Sequence, residues 1–153
     1  MNFIIIFVIV VLVILMKVLS LREPWATLIK DQKKFIETRS WKINYRGELY
    51  IHASMTKIDQ ETRNRKELFN LLEKESLSFG MIICKCQLVD CIYMTKEYVE
   101  DMKRNHYQEY ICGEYKEGRY AWILEDIKAL EEPILSKGHL GIWNYLIEQK
   151  NKY

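Results

Sequence analysis

The sequence predicts an α+β domain: a small, mostly antiparallel β-barrel with two to three flanking helices. Three observations predict it. Several strand-like stretches of uneven length recur along the chain, two of which alternate with period two, the mark of half-buried strands. Two or three segments between them carry helix signals. Glycine (six) and proline (two) are too few for a repeat or low-complexity architecture, and 153 residues suit one domain.

The first element is a short strand, KVLSL, residues 17–21. Pro24 follows where proline is tolerated, in the first turn of a helix, with WATLIK behind it. Trp25, Leu28 and Ile29 fall on one face of that helix. In KFIETRSW, Phe35, Glu37, Arg39 and Trp41 alternate with Ile36, Thr38 and Ser40, so a strand is expected. A turn around Gly47 leads to LYIHAS, with Leu49, Ile51 and Ala53 on one side and Tyr50 and His52 on the other. Residues 59–74 read as one amphipathic helix carrying Leu68, Phe69, Leu71 and Leu72. MIICKCQLVDCIYM is a long β-branched strand after Gly80. Thr95 can cap a helix through Tyr98, Val99 and Met102. RYAWIL is another strand, and Gly138 and Gly141 set a tight turn before a last apolar segment.

Ahead of this domain, taken as residues 16–153, stands an apolar leader, residues 1–15. Residues 3–16 are fourteen consecutive apolar residues. As a helix they would span about 21 Å, short of the ~30 Å hydrocarbon core. No Lys or Arg precedes the run and no small-x-small site follows it, so a cleavable signal is a poor fit. Two readings stand: a misassigned start, with Met16 as the initiator, or a short membrane anchor through residues 3–16. Lys17, Arg22 and Lys30 would hold an anchored domain on the cytoplasmic side. Both readings place the domain in the cytoplasm. Cys84, Cys86, Cys91 and Cys112 form no recognisable disulfide framework and fit a reducing compartment.

The net charge of +2 excludes a global basic field, so any nucleic-acid role rests on a local patch. Residues 30–46 supply one. Lys30, Lys33, Lys34, Arg39, Lys42 and Arg46 face only Asp31 and Glu37, with Phe35, Trp41 and Tyr45 interleaved. Cations meet phosphates and aromatic faces stack on bases; the plainer alternative is a solvated basic edge beside core aromatics. Glu37 and Arg39 point to one side of a strand and could read the polar edge of a ligand together. Lys34 has the opposite parity and joins them only from a turn before the strand. There it could act as base or nucleophile, or as half of an ordinary surface ion pair.

Cys84 and Cys86 share a strand face, but no second Cys/His pair completes a zinc site, so buried thiols and no metal are expected. His52, His106 and His139 are scattered. Phosphate-loop, Gly-x-Ser-x-Gly and HExxH motifs are missing from the sequence. Trp25, Trp41, Trp122 and Trp143 suit a core, and one or two could line a cleft.

SLREPWATLI, KKFIETRSW, YRGELYIHAS, GRYAWIL and KGHLGIWNY, in that order, resemble the ASCH domain family of the PUA-like superfamily. The resemblance runs from about Met16 to Tyr145. Its signature, Gly-x-Lys-x-x-Glu-x-Arg, becomes Gln32, Lys34, Glu37 and Arg39 here. Gln32 in place of Gly weakens the expectation of a tight turn before Lys34 and leaves the charged trio intact. The resemblance implies a PUA-like barrel and a cleft between barrel and helix that binds RNA, a nucleotide or a modified nucleoside without a cofactor. For such a binding module the expected ligand-binding residues are Arg22, Trp25, Lys34, Glu37, Arg39, Trp41, His52 and Trp122. An enzymatic branch resembles an acetylcytidine amidohydrolase that uses a Lys and a Thr of the signature with a distant Glu. Lys34 matches, but Glu37 occupies the Thr position and cannot be a hydroxyl nucleophile. Some members are linked to ribonuclease activity. The expectation is a binding module; the alternative is a small hydrolase acting on an acylated nucleoside or RNA, with Lys34 and Glu37 as acid/base pair.

Overall fold

In the computed structural model of the protein, residues 11–73 and 77–150 are described. β1 (Val11–Leu21) runs into α1 (Trp25–Lys30), β2 (Ile36–Arg39) and β3 (Gly47–Ala53). Two short helices follow, α2 (Gln60–Arg63) and α3 (Lys66–Phe69), then β4 (Met81–Tyr93). α4 (Lys96–Asn105), α5 (Tyr107–Ile111), β5 (Tyr120–Leu135) and β6 (Ile142–Lys150) complete the chain.

The strands form one mixed sheet in the order β2-β5-β4-β3-β1-β6. β1 and β3 are parallel, Val18 opposite Tyr50 and Leu21 opposite Ala53; the other pairings are antiparallel. The mostly antiparallel α+β expectation therefore holds, but the sheet is not closed into a barrel. β2 has four residues and pairs with β5, while β6 pairs with β1, and these two strands are the free edges of the sheet. Parallel neighbours need a crossover. Here it is residues 22–46, which carry α1 and β2, so the charged signature sits inside the one crossover the topology demands.

α1 lays Ala26, Leu28 and Ile29 inward. Ala26 and Ile29 join Leu49, Ile51, Leu88, Trp122 and Leu124 in the main core, and Leu28 packs with Leu68 and Cys112. Pro24 has no side-chain donor or acceptor to cap the helix. The buried Glu23 does so instead, accepting from Thr27 N at 3.0 Å and Thr27 Oγ1 at 2.6 Å. The same carboxylate accepts from Ser78 N at 3.1 Å, tying the chain before β4 to the start of α1.

Other differences from the sequence reading have local causes. The apolar run continues into β1 as far back as Val11, where Leu15 lies opposite Leu146 and Met16 opposite Tyr145. Extended pairing thus crosses the boundary drawn at residue 16, and Met16 is buried with Val18 and Ile82. The rest of the leader, residues 1–10, lies outside the described residues. Among the described residues no helix is long and apolar enough to cross a membrane. The single helix expected over 59–74 is two, broken at Asn64 and Arg65, where Arg65 leaves helical geometry (ψ 80°); residue 74 lies outside the described residues. Asp59 caps the first of them through Thr62 N. Thr95 caps α4 as expected, accepting from Tyr98 N at 3.1 Å. α5 brings the helices of the described residues to five; it buries no residue and carries no periodic apolar signal. RYAWIL is only the first part of β5, which continues through Pro133 along β4.

The turn before β2 is tight despite Gln32. Gln32 takes a left-handed conformation, φ 57°. Its N–H reaches Ile29 O and the Lys33 N–H reaches Leu28 O, both at 2.9 Å, a Schellman closure of α1. A side chain in this region costs roughly 1–2 kcal/mol. Gln32→Gly should therefore change stability by less than about 1 kcal/mol, because relief of strain offsets the added freedom of the unfolded chain. Gln32→Val should destabilise by about 1–2 kcal/mol, since a branched Cβ is worst placed there. Urea denaturation of the two variants tests this, and equal midpoints would show that the turn imposes no such constraint.

Candidate functional site

The Schellman turn delivers Lys34 into the interior. Lys34 is 1 % exposed. Its Nζ donates to Ile36 O at 2.5 Å and to Cys112 O at 2.9 Å, and lies 3.5 Å from Glu37 Oε2. Glu37 Oε1 is 3.2 Å from Arg39 Nε. That contact has the distance of a hydrogen bond but not its direction, since buried Arg39 Nε has no hydrogen-bond partner. The Arg39 guanidinium lies 5.9 Å from the ring centre of Trp122, a cation–π arrangement. Trp122 meets the ring of Trp41 edge-on at 4.6 Å and donates through Nε1 to Trp41 O. Lys34, Glu37, Arg39, Trp122 and Trp41 thus form one continuous chain of contacts. Lys34 joins from the turn, two residues before β2, as its parity requires.

Behind this chain sits α5. Glu109 Oε1 accepts the Phe35 N–H, and Glu109 Oε2 is buried without a hydrogen bond. Burial pushes the Glu109 carboxyl above the usual range, against the pull of Lys34 and of the Phe35 N–H. Burial also pushes the Cys112 thiol up to about 11, with Lys34 opposing. A thiol held protonated in this way is no nucleophile at neutral pH. Cys84 and Cys86 are buried free thiols in the main core, and burial carries Cys86 to about 12.

Two cavities open on the charged chain. The larger, about 890 Å³, is bordered by Arg22, Trp25, Glu37, Arg39 and Trp41 from the crossover, and by Arg119 and the segment 137–141. The smaller, about 410 Å³, is reached by Lys34 and Arg65 and bordered by Glu61, Glu114 and Cys112. Trp25, Glu37, Thr38 and Arg119 belong to both. Arg22 is exposed and lies 3.9 Å from exposed Asp59, a pairing too solvated to immobilise it.

Six of the residues expected at the site, Arg22, Trp25, Lys34, Glu37, Arg39 and Trp41, come together at these cavities. His52 and Trp122 are fully buried and stand behind the lining. Trp122 supports Arg39 and Trp41. His52 holds the opposite lip through Ser20 Oγ at 3.0 Å and Ser136 O at 2.8 Å. Sequence reasoning missed Thr38, Arg65 and Arg119. Thr38 Oγ1 accepts the Glu114 N–H, and Arg119 donates to Thr38 O and Glu114 O; such cross-chain contacts leave no local pattern. The lip had a signal, its two glycines. A Cβ on Gly138 would lie 2.8 Å from both His52 Cε1 and Ser20 Oγ. Among the described residues no group of His, Cys, Asp and Glu side chains is placed to hold a metal.

Two outcomes follow from these contacts. Lys34→Met should destabilise by about 3–5 kcal/mol, since it leaves Glu37 Oε2 without its cation and the Ile36 and Cys112 carbonyls without their donor; a loss below about 1 kcal/mol in chemical denaturation would refute the bracing role. Gly138→Ala should destabilise by about 1–3 kcal/mol by overpacking against His52. A melting temperature equal to wild type would show that the lip stands free of His52.

A profile of the ASCH domain family matches residues 19–134, well over half of the chain. The human protein Activating signal cointegrator 1 is 32% identical over 81 residues, covering 48% of this chain and 14% of that protein. The mouse protein of the same name is 31% identical over the same shares. The chain thus matches only about a seventh of the length of these curated relatives. Among solved structures, the crystal structure of ASCH from Zymomonas mobilis aligns with 78% of this chain and 72% of its own, with TM-score 0.49 and 19% identity.

Proposed function

Because this chain belongs to the ASCH domain family, we propose that it is a binding module for RNA or a modified nucleoside, with the cleft beside Lys34, Glu37 and Arg39 as its site. The observation that carries this reading is the content of the larger cavity. Four cations, Arg22, Arg39, Arg119 and Lys137, face one carboxylate, Glu37, which is already ion-paired. Trp41, 41% exposed, offers a ring beside them. Cations for phosphate and a ring for stacking are what an unpaired base and its backbone need. The free thiols fit a cytoplasmic setting for such a ligand.

Binding is favoured over hydrolysis by an acid/base pair of Lys34 and Glu37. A catalytic Lys34 would need its lone pair or its proton presented to the ligand. Its ammonium instead has three oxygen partners within the fold, so its work is to position Glu37. Glu37, held by Lys34 and Arg39, is suited to accept hydrogen bonds from a base edge.

Titration of the full chain with short single-stranded RNAs should give affinity that falls with salt, by a slope of about 0.7 per phosphate neutralised. Arg39→Ala should weaken binding about tenfold, equivalent to about 1.4 kcal/mol. Salt-independent binding, or affinity untouched by Arg39→Ala, would remove the assigned cleft. Turnover of an acylated nucleoside that vanishes in Glu37→Gln would replace binding by catalysis.

A further inference from the structure

The two cavities differ in charge. The larger sets four cations against one carboxylate; the smaller sets Lys34, Arg65 and Arg119 against Glu37, Glu61 and Glu114. Each alone has the volume of a small-molecule pocket, about 300–1,000 Å³. They share the wall made by Trp25, Glu37, Thr38 and Arg119. A net-positive chamber suits a sugar–phosphate. A charge-balanced chamber with carboxylates and cations on its walls repels an extra anion about as much as it attracts one, and suits a neutral group rich in donors and acceptors.

We infer that the smaller cavity is a base-reading subsite, and that the ligand of the whole cleft is a dinucleotide step of a single strand rather than one nucleoside. This rests on the binding role proposed above. One nucleotide occupies the larger chamber, with its phosphates among Arg22, Arg39 and Lys137. The neighbouring base enters the smaller chamber, where Glu61, Glu114 and Arg65 offer acceptors and donors to its edge. The phosphodiester between them passes the shared wall at Arg119. Arg119 is the cation common to both chambers; its Nη2 lies 3.4 Å from Glu114 Oε2, and its side chain is anchored through Nε to Glu114 O at 3.1 Å and through Nη2 to Thr38 O at 3.3 Å. Gly113 keeps this wall thin: a Cβ there would lie 2.8 Å from Thr38 Cγ2. A tethered second nucleotide binds as an intramolecular event, so occupancy of both chambers multiplies affinity rather than adding to it.

The test is calorimetric titration of the full chain with the four ribonucleoside 5′-monophosphates and with dinucleoside monophosphates carrying a 5′-phosphate. At least one dinucleotide should bind tenfold or more tightly than either constituent monophosphate. In the double variant Glu61→Ala, Glu114→Ala that ratio should fall below threefold, with circular dichroism confirming the fold; both side chains are exposed, and the ion pair lost with Glu114, to Arg119, is solvated on the Glu114 side and contributes little to stability. Monophosphates that bind as tightly as dinucleotides would overturn the two-chamber ligand and leave the binding role standing. A ratio unchanged in the double variant would overturn the smaller chamber as the second subsite. Failure of every monophosphate, dinucleotide and longer RNA to bind would overturn both readings.

Discussion

A buried ammonium must find oxygen on every side or not be buried at all. Removing the charge of Lys34 from water costs several kcal/mol even after relaxation, and the fold meets that cost with three acceptors from two regions of the chain. Ile36 O and Glu37 come from β2; Cys112 O closes α5, 78 residues away. Lys34 is therefore less a reactive group than a bolt. It fixes the edge strand of the sheet against a short helix that buries no residue of its own. The Phe35 N–H to Glu109 contact beside it makes the same junction from the other direction.

The bolt also settles what Glu37 can do. Each carboxylate oxygen faces one cation, Lys34 at Oε2 and Arg39 at Oε1. A carboxylate offers about four lone-pair positions, so two ion pairs leave acceptor capacity while fixing the plane of the group. Arg39 in turn is kept in place by the face of Trp122, and Trp122 by its bond to Trp41 O. Orientation is thus passed outward from a fully buried lysine and tryptophan to the half-exposed side chains at the cleft. A group preorganised in this way loses little freedom when a ligand arrives, and that is where recognition gains affinity.

Five of the six strands were legible in the sequence, two of them, KFIETRSW and LYIHAS, from period-two alternation and the one after Gly80 from its β-branched residues. The proximity of Lys34 to Glu37 and Arg39 was legible too, because parity forced Lys34 into the turn. What escaped depends on distant residues. The open sheet follows from which strand claims the edge of β1, a choice made between β6 and the rest of the fold. The division of the helix over 59–74 turns on Arg65, whose guanidinium reaches Ile111 O. Glu23 capping α1 and holding Ser78 is a tertiary bond with no local mark. His52 and Trp122 count among the expected ligand contacts, but burial is a property of neighbours, and both are enclosed.

The lip opposite the charged chain shows how far from the site its shape is decided. Ser136 O can only accept, so the proton of the neutral His52 ring belongs on Nε2. Nδ1 must then accept, and the hydrogen comes from the Ser20 hydroxyl. Ser20 Oγ in its turn accepts from Trp143 Nε1 at 3.0 Å. Every donor in this relay has one direction, from β6 through β1 and β3 to the start of the lip. Gly138 lies against the relay with no room for a Cβ, and His139 packs edge-on to Trp143 at 4.9 Å. One wall of the cleft is therefore a product of the β1–β3–β6 side of the sheet, and the other a product of the Lys34 bolt on β2. The cleft is the gap between these two walls, and residues of both braces, Lys34 on one side and Ser20 and Gly138 on the other, themselves line it.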